Sequence, residues 1–260
     1  MYVVLFFLLC LTATTIGAIT GIGGGMLIRP VLDAFTNFSV PTVNFLSSTT
    51  VLFMTIVTLL RSKGSGIKLE KRISTLLAVG AIGGGTIGNF LLNHLVNLWY
   101  EYMVGAAQAI TFIIISSGVV VYLSYKERLT SKNVESNIAC VCIGLVSGTL
   151  AAFLGIGGGI LNVLALSYLF SMQSKTATLN SVYIMLFAQG TNFISAVGTG
   201  NVPEFSWIVL AFMVAGGISG GFLGNFISRR ISNKQTDRVL QGILCFNACI
   251  SAWNLYNFLR

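Results

Sequence analysis

Gly21-Ile22-Gly23-Gly24-Gly25 closes a long apolar run near the start of the chain, and it returns unchanged as Gly155-Ile156-Gly157-Gly158-Gly159. The copies stand 134 residues apart. Three consecutive glycines cost a helix ~3 kcal/mol relative to alanine, so a helix is expected to break at each copy. The surroundings decide what such a break means. The chain is 55% hydrophobic and only 8% charged over 260 residues, against about 25% charged in soluble domains. It reads as an integral membrane protein. A break at membrane depth frees backbone N–H and C=O groups that lipid cannot satisfy, so it belongs inside protein or against a polar cavity.

The apolar runs are far longer than barrel strands and lack their alternation, so the expected fold class is an all-α polytopic membrane protein. The runs are Tyr2–Ile19, Val43–Leu60, Ile73–Leu92 and Tyr102–Tyr125, then Ile138–Leu154, Ala177–Val197, Phe205–Ile227 and Val239–Leu259. That makes about eight hydrophobic helices. Each glycine motif is followed by a short segment, Met26–Phe35 or Ile160–Phe170, which at ~1.5 Å per residue covers only half the hydrocarbon thickness. Residues 1–20 lack a basic leader and run straight into the glycines, so they are read as a retained helix.

The duplication extends beyond the glycines. At the same offset Thr15 matches Thr149, Thr42 matches Thr176, Ser47 matches Ser181, and Leu52-Phe53 matches Leu186-Phe187. At offset 136, Gly84, Gly85, Gly88 and Asn89 match Gly220, Gly221, Gly224 and Asn225. The organisation expected is one membrane domain over 1–260, with repeat one at 1–125, repeat two at 136–260, and a cytoplasmic connecting loop at 126–135. If all eight runs cross, Lys and Arg divide nine to six between the two sides. If each first run and its short segment form a re-entrant hairpin with the glycines at its tip, they divide thirteen to two. The Lys/Arg bias sets orientation, so inverted repeats with two re-entrant hairpins are expected. The net charge of +8 is then the positive-inside pattern, and no nucleic-acid partner is implied.

The candidate site follows from the breaks. Matched interruptions in matched halves are the pattern from which a solute site in a membrane protein is read. A glycine turn opening a helix offers free N–H groups and a positive dipole end to an anion. The candidate binding residues are therefore Gly21, Gly23, Gly24 and Gly25 with Gly155, Gly157, Gly158 and Gly159. Hydroxyl and amide donors in the next runs join them: Ser47 and Ser48 in one half, Asn180, Ser181 and Gln189 in the other. Arg29, four residues past the first motif and without a basic counterpart at Val163, is a costly intramembrane cation. It is read either as an attractor for the anion or as a partner of Asp33. Gly84-Gly85-x-x-Gly88-Asn89 and its copy read as close-packing helix faces. His94 and Glu101 are placed around a short loop.

No metal site, cofactor or enzyme chemistry is expected. The five cysteines and single histidine have no zinc spacing, no Walker motif occurs, and no nucleophile–base set is evident. The duplicated Gly-Ile-Gly-Gly-Gly, the Thr/Ser positions after it and the Gly-rich third and seventh runs resemble the TauE/SafE-type sulfite exporter family. That resemblance covers nearly the whole chain. It implies secondary transport of sulfite, thiosulfate or an organosulfonate across the cytoplasmic membrane. Pro30 keeps a proline common after the family's glycines, whereas Leu164 replaces it in the second copy. A passive anion channel and a non-transporting assembly subunit are the alternatives. The partners implied are a small anionic substrate and the lipid bilayer, with a homo-oligomer left open.

Overall fold

The computed structural model describes residues 2–62, 66–126, 134–200 and 202–259. Lys63, Arg128, Lys132 and Arg260, counted above for orientation, lie outside the described residues, as does most of the connecting loop. Among the described residues there are ten helices and no strand. They are α1 (Tyr2–Thr20), α2 (Gly25–Phe35), α3 (Val40–Ser62), α4 (Lys71–Leu98) and α5 (Glu101–Tyr125), then α6 (Asn137–Leu154), α7 (Gly159–Tyr168), α8 (Ser174–Gly198), α9 (Trp207–Ser228) and α10 (Asn233–Leu259). Seven are long and apolar enough to cross a membrane. The helix α8 has the length but is not among them; besides Lys175 and several threonines and serines it carries Asn180, Ser181, Gln189 and Asn192. One expectation needs correcting. The third run does not stop at Leu92 but continues through α4 to Leu98, so His94 lies within a helix, its ring stacked on Phe90.

Both glycine motifs end their helices. Gly155 is left-handed at φ 65°, and its N–H returns to the carbonyls of Ala151 and Ala152, the geometry that stops a helix and for which glycine has no steric penalty. The two copies then diverge. Gly158 is left-handed at φ 76°, whereas its counterpart Gly24 sits at φ −65° in the right-handed region. Identical sequences thus open α2 and α7 from different backbone conformations.

After each turn the chain doubles back. The N–H of Val134, just before α6, donates to Leu169 O, just after α7, over 3.0 Å. In the first half Phe6 stacks on Phe38 with ring centroids 6.0 Å apart. Helices α1–α2 and α6–α7 are therefore hairpins whose ends lie together.

The hairpins fasten to the opposite half of the chain. Helix α1 lies parallel to α9, with Gly216, Gly220 and Gly224 set against Phe7 through Ala18. Helix α6 lies parallel to α4 in the same way, through Gly80, Gly84 and Gly88. Here the glycines are required by close approach: a Cβ on Gly84 would stand 2.1 Å from Leu145 O, and one on Gly224 2.4 Å from Thr15 O. The central helices run the other way. Helices α3 and α8 are antiparallel, with Phe45 stacked on Phe193 and Ser48 O accepting from Gln189. Helices α5 and α10 are antiparallel too, through Asn247 to Ser116 and Lys126 to Asp237.

Arg61, Arg72, Lys126 and Arg229 gather at one end of this bundle. Arg229 donates to Arg61 O, Arg72 to Asn137 at 2.7 Å, and Lys126 to Ser174 at 3.0 Å. We refer to this as the basic end. The opposite end carries Thr42, bonded to Glu204 O at 3.1 Å.

Candidate functional site

The two glycine turns meet back to back inside the bundle. A Cβ on Gly159 would stand 2.1 Å from Ile22 O, and one on Gly25 3.1 Å from Ile156 O, so nothing larger than glycine allows this contact. Two serines clasp the turns crosswise. Ser47 donates to Gly155 O at 2.8 Å; Ser181, its counterpart, donates to Gly21 O at 2.7 Å and Gly159 O at 3.2 Å. Each half therefore holds the other's turn by a hydroxyl at the same repeat position. The candidate glycines are all buried, and both serine protons are committed to carbonyls in this conformation.

Arg29 is wholly buried and donates to three acceptors: Asn44 Oδ1 at 3.0 Å, the carbonyl of Leu154 and Gln108 Oε1. Its Nε lies 3.7 Å from Asp33. The guanidinium thus sits where α6 ends, against the negative end of that helix dipole, and its planar fork satisfies groups that no lysine could reach together. Asn180 lies apart. It stands near the basic end, accepting from Glu70 N at 2.9 Å and Ser74 Oγ and donating to Lys68 O and Thr176 O.

A cavity of about 90 Å³ opens at the end opposite the cations, between α3, α4 and α8. Pro41 and Pro203 stand among its lining residues, and its polar groups are all uncharged amides and hydroxyls: Asn44, Ser48, Thr49, Asn89, Asn93 and Asn192 among them. A ladder of amides leads inward from it. Asn89 donates to Asn192 at 2.9 Å, Asn192 to Gln189 at 3.0 Å, and Gln189 to Ser48 O at 3.4 Å. Gln189 reaches the second turn, since a Cβ on Gly157 would stand 3.4 Å from its Nε2. Thr49 is 2% exposed, and its hydroxyl has no hydrogen-bond partner. An unmet buried hydroxyl is costly, and Thr49 is among the residues that line the cavity.

The structure thus places Ser48 on the cavity wall with Gln189 bonded behind it, and Ser47, Ser181 and Arg29 around the turns. Asn192 belongs with the amide donors of the second half's run, whereas Asn89 and Asn93 have no place among the sequence candidates. Asn89 carried a signal, its exact duplicate at Asn225, but it was read together with the glycines as part of a packing face. One helix does both: Gly84 and Gly88 meet α6, while Asn89 lines the cavity.

A second, narrower cavity of about 20 Å³ lies at the basic end. It is lined by Thr58, Thr178, Lys175, Asn225 and Arg229, which occupy the repeat positions of Asn192, Asn44, Pro41, Asn89 and Asn93.

The family model for the sulfite exporter TauE/SafE matches residues 6–250. The chain belongs to that family. A curated member of known sequence, the "Probable membrane transporter protein YunE" of Bacillus subtilis (strain 168), is 26% identical over 241 residues, covering 82% of this chain and 84% of the relative. No solved structure matches. Family membership together with seven helices fit to span makes this a multi-pass membrane protein of the TauE/SafE transporter type.

Proposed function

We propose that the chain is a secondary transporter that moves a small sulfur-containing anion, such as sulfite, thiosulfate or an organosulfonate, across the cytoplasmic membrane. The observation that carries this reading is the unpartnered Thr49 hydroxyl in a cavity whose amides lead to the glycine turns. Hydroxyl and amide N–H groups bond an oxyanion without a fixed counter-charge, which lets the anion leave as well as enter. The Gly-Ile-Gly-Gly-Gly turns form the layer the anion must pass, and Gln189 hands it from Thr49 and Ser48 toward Gly157. Arg29, one residue behind Asn44, supplies a positive potential from beneath the floor. Its ion pair with Asp33 limits that potential.

The architecture proposed is a pair of inverted repeats, each with a re-entrant hairpin. Support comes from the antiparallel course of equivalent helices, α3 with α8 and α5 with α10, and from the gathering of cations at one end, which is then cytoplasmic. Alternating access would come from one half rocking against the other about the crossed turns.

The test is uptake of labelled sulfite, thiosulfate and a small sulfonate into proteoliposomes, comparing wild type with Thr49→Val and Gln189→Leu. Saturable uptake with counterflow, and a KM raised about tenfold in Thr49→Val, as removal of one hydrogen bond to a charged ligand implies, is expected. Flux without saturation or counterflow would instead mark a channel. Absence of flux for every sulfur anion would remove the transporter reading.

A further inference from the structure

The two cavities are built from the same repeat positions yet differ in charge. At the far end the mouth positions are Pro41 and Asn93, both neutral. At the basic end the equivalent residues are Lys175 and Arg229, and no acidic residue lines that cavity. Inside it Thr178, 6% exposed, has a hydroxyl without a partner, just as Thr49 does in the other cavity. Asn225, the counterpart of Asn89, donates to Thr58 O at 3.3 Å. A general excess of cations on one side would place Lys and Arg anywhere on that end. It would not put two of them on the wall of a cavity with an unmet hydroxyl.

We propose that the narrow cavity at the basic end is a second anion site, the cytoplasmic capture site for the same class of small oxyanion. Lys175 and Arg229 supply the attracting field and Thr178 the hydrogen bond. The inference rests on the transporter reading above and adds a sidedness to it. A cationic, low-dielectric mouth concentrates anions and raises their capture rate, by tenfold or more at low salt. The neutral far mouth does not, so anions are taken up more readily from the cytoplasmic face and released more readily at the other. A carrier cannot by itself set an equilibrium, so the lower KM on the cytoplasmic face comes with a lower maximal rate in that direction.

The field can be read without any transport. Ser62, on the wall of the same cavity, is replaced by Cys in a chain whose five native cysteines are alanine. It is then labelled with a sulfonate-bearing and an ammonium-bearing methanethiosulfonate. Relative to a free thiol, the anionic reagent should react about tenfold faster than the cationic one at low salt, with the advantage fading as salt screens the mouth. Lys175→Gln with Arg229→Gln should bring the ratio near one, and Lys175→Arg with Arg229→Lys should keep it. In proteoliposomes of defined orientation, the Gln pair should raise the cytoplasmic KM about tenfold relative to the KM on the other face. A labelling ratio near one in the parent, or a KM ratio that the Gln pair leaves unchanged, overturns the capture site and leaves flux through the far cavity standing. Charge-selective labelling in a protein that carries no sulfur anion overturns both readings.

Discussion

Gly83, Gly84 and Gly85 are identical neighbours with different surroundings. A Cβ on Gly83 would meet nothing within 4 Å, whereas one on Gly84 would meet the backbone of α6. Gly83→Ala should therefore stabilise the protein by about 0.5–1 kcal/mol through helix propensity and the unfolded-state entropy. Gly84→Ala should destabilise it by about 2–3 kcal/mol, because backbone cannot yield as a side chain can. Thermal unfolding of both variants in one detergent checks the pair. Thr49→Val should leave the unfolding free energy within about 0.5 kcal/mol of wild type, as that hydroxyl has no partner to lose. Equal loss of stability and transport would make Thr49 a structural residue. Arg29→Lys should cost about 3–5 kcal/mol, since Asn44, the Leu154 carbonyl and Gln108 are left to a single ammonium in a buried site. The sequence marks Arg29 as costly and offers Asp33 as a partner, and its Nε lies 3.7 Å from that carboxylate. It could not show Gln108, which lies 79 positions along the chain and comes near only through packing.

At the scale of elements, the glycine duplication told where helices stop, because left-handed φ and missing side chains are local properties. The cross-clasp was not legible. Ser47 and Ser181 were visible as duplicates, but that each reaches the other half's turn depends on how the hairpins interleave. Nor did the identical motifs reveal that Gly24 and Gly158 adopt opposite hands. The short segments, the broken runs and most helix limits came within a few residues. Helix α4 outran its expected end because nothing between Leu92 and Leu98 breaks a helix. Removing one hydroxyl of the clasp should cost about 1 kcal/mol, a typical net hydrogen bond. Ser47→Ala and Ser181→Ala act on turns that touch, so their effects should couple by about 0.5 kcal/mol or more. A double-mutant cycle on unfolding free energy measures this. Strict additivity would mean that the two turns relax independently.

For the whole molecule, the seams matter more than the halves. The hairpin of each half packs on the fourth helix of the other, α1 on α9 and α6 on α4, so the larger hydrophobic clusters draw on both halves. Expressed alone, residues 1–126 or 134–260 should be degraded. Expressed together, the two pieces should copurify, because the contacts between them replace the connecting segment. Pull-down of one tagged piece by the other, from membranes, decides this, and a stable solitary half would contradict the interlocked arrangement. Cavity accessibility belongs to this scale as well. A saturating sulfur anion should change the labelling of Asn93→Cys and Ser62→Cys in opposite directions, as a population shift between two mouths requires.

The parallel seam between α1 and α9 also sets a clock. The face of α9 that covers Phe7 through Ala18 is made about 200 residues after α1 itself. At ~5–20 residues per second that is a wait of roughly 10–40 s. During this time Thr12, Thr14 and Thr15 turn their hydroxyls back onto their own helix carbonyls, so the waiting surface carries few unmet polar groups into the lipid. Helix α1 is thus made long before the partner it packs against, and a chaperone or insertase that shelters a single nascent helix would act on this one.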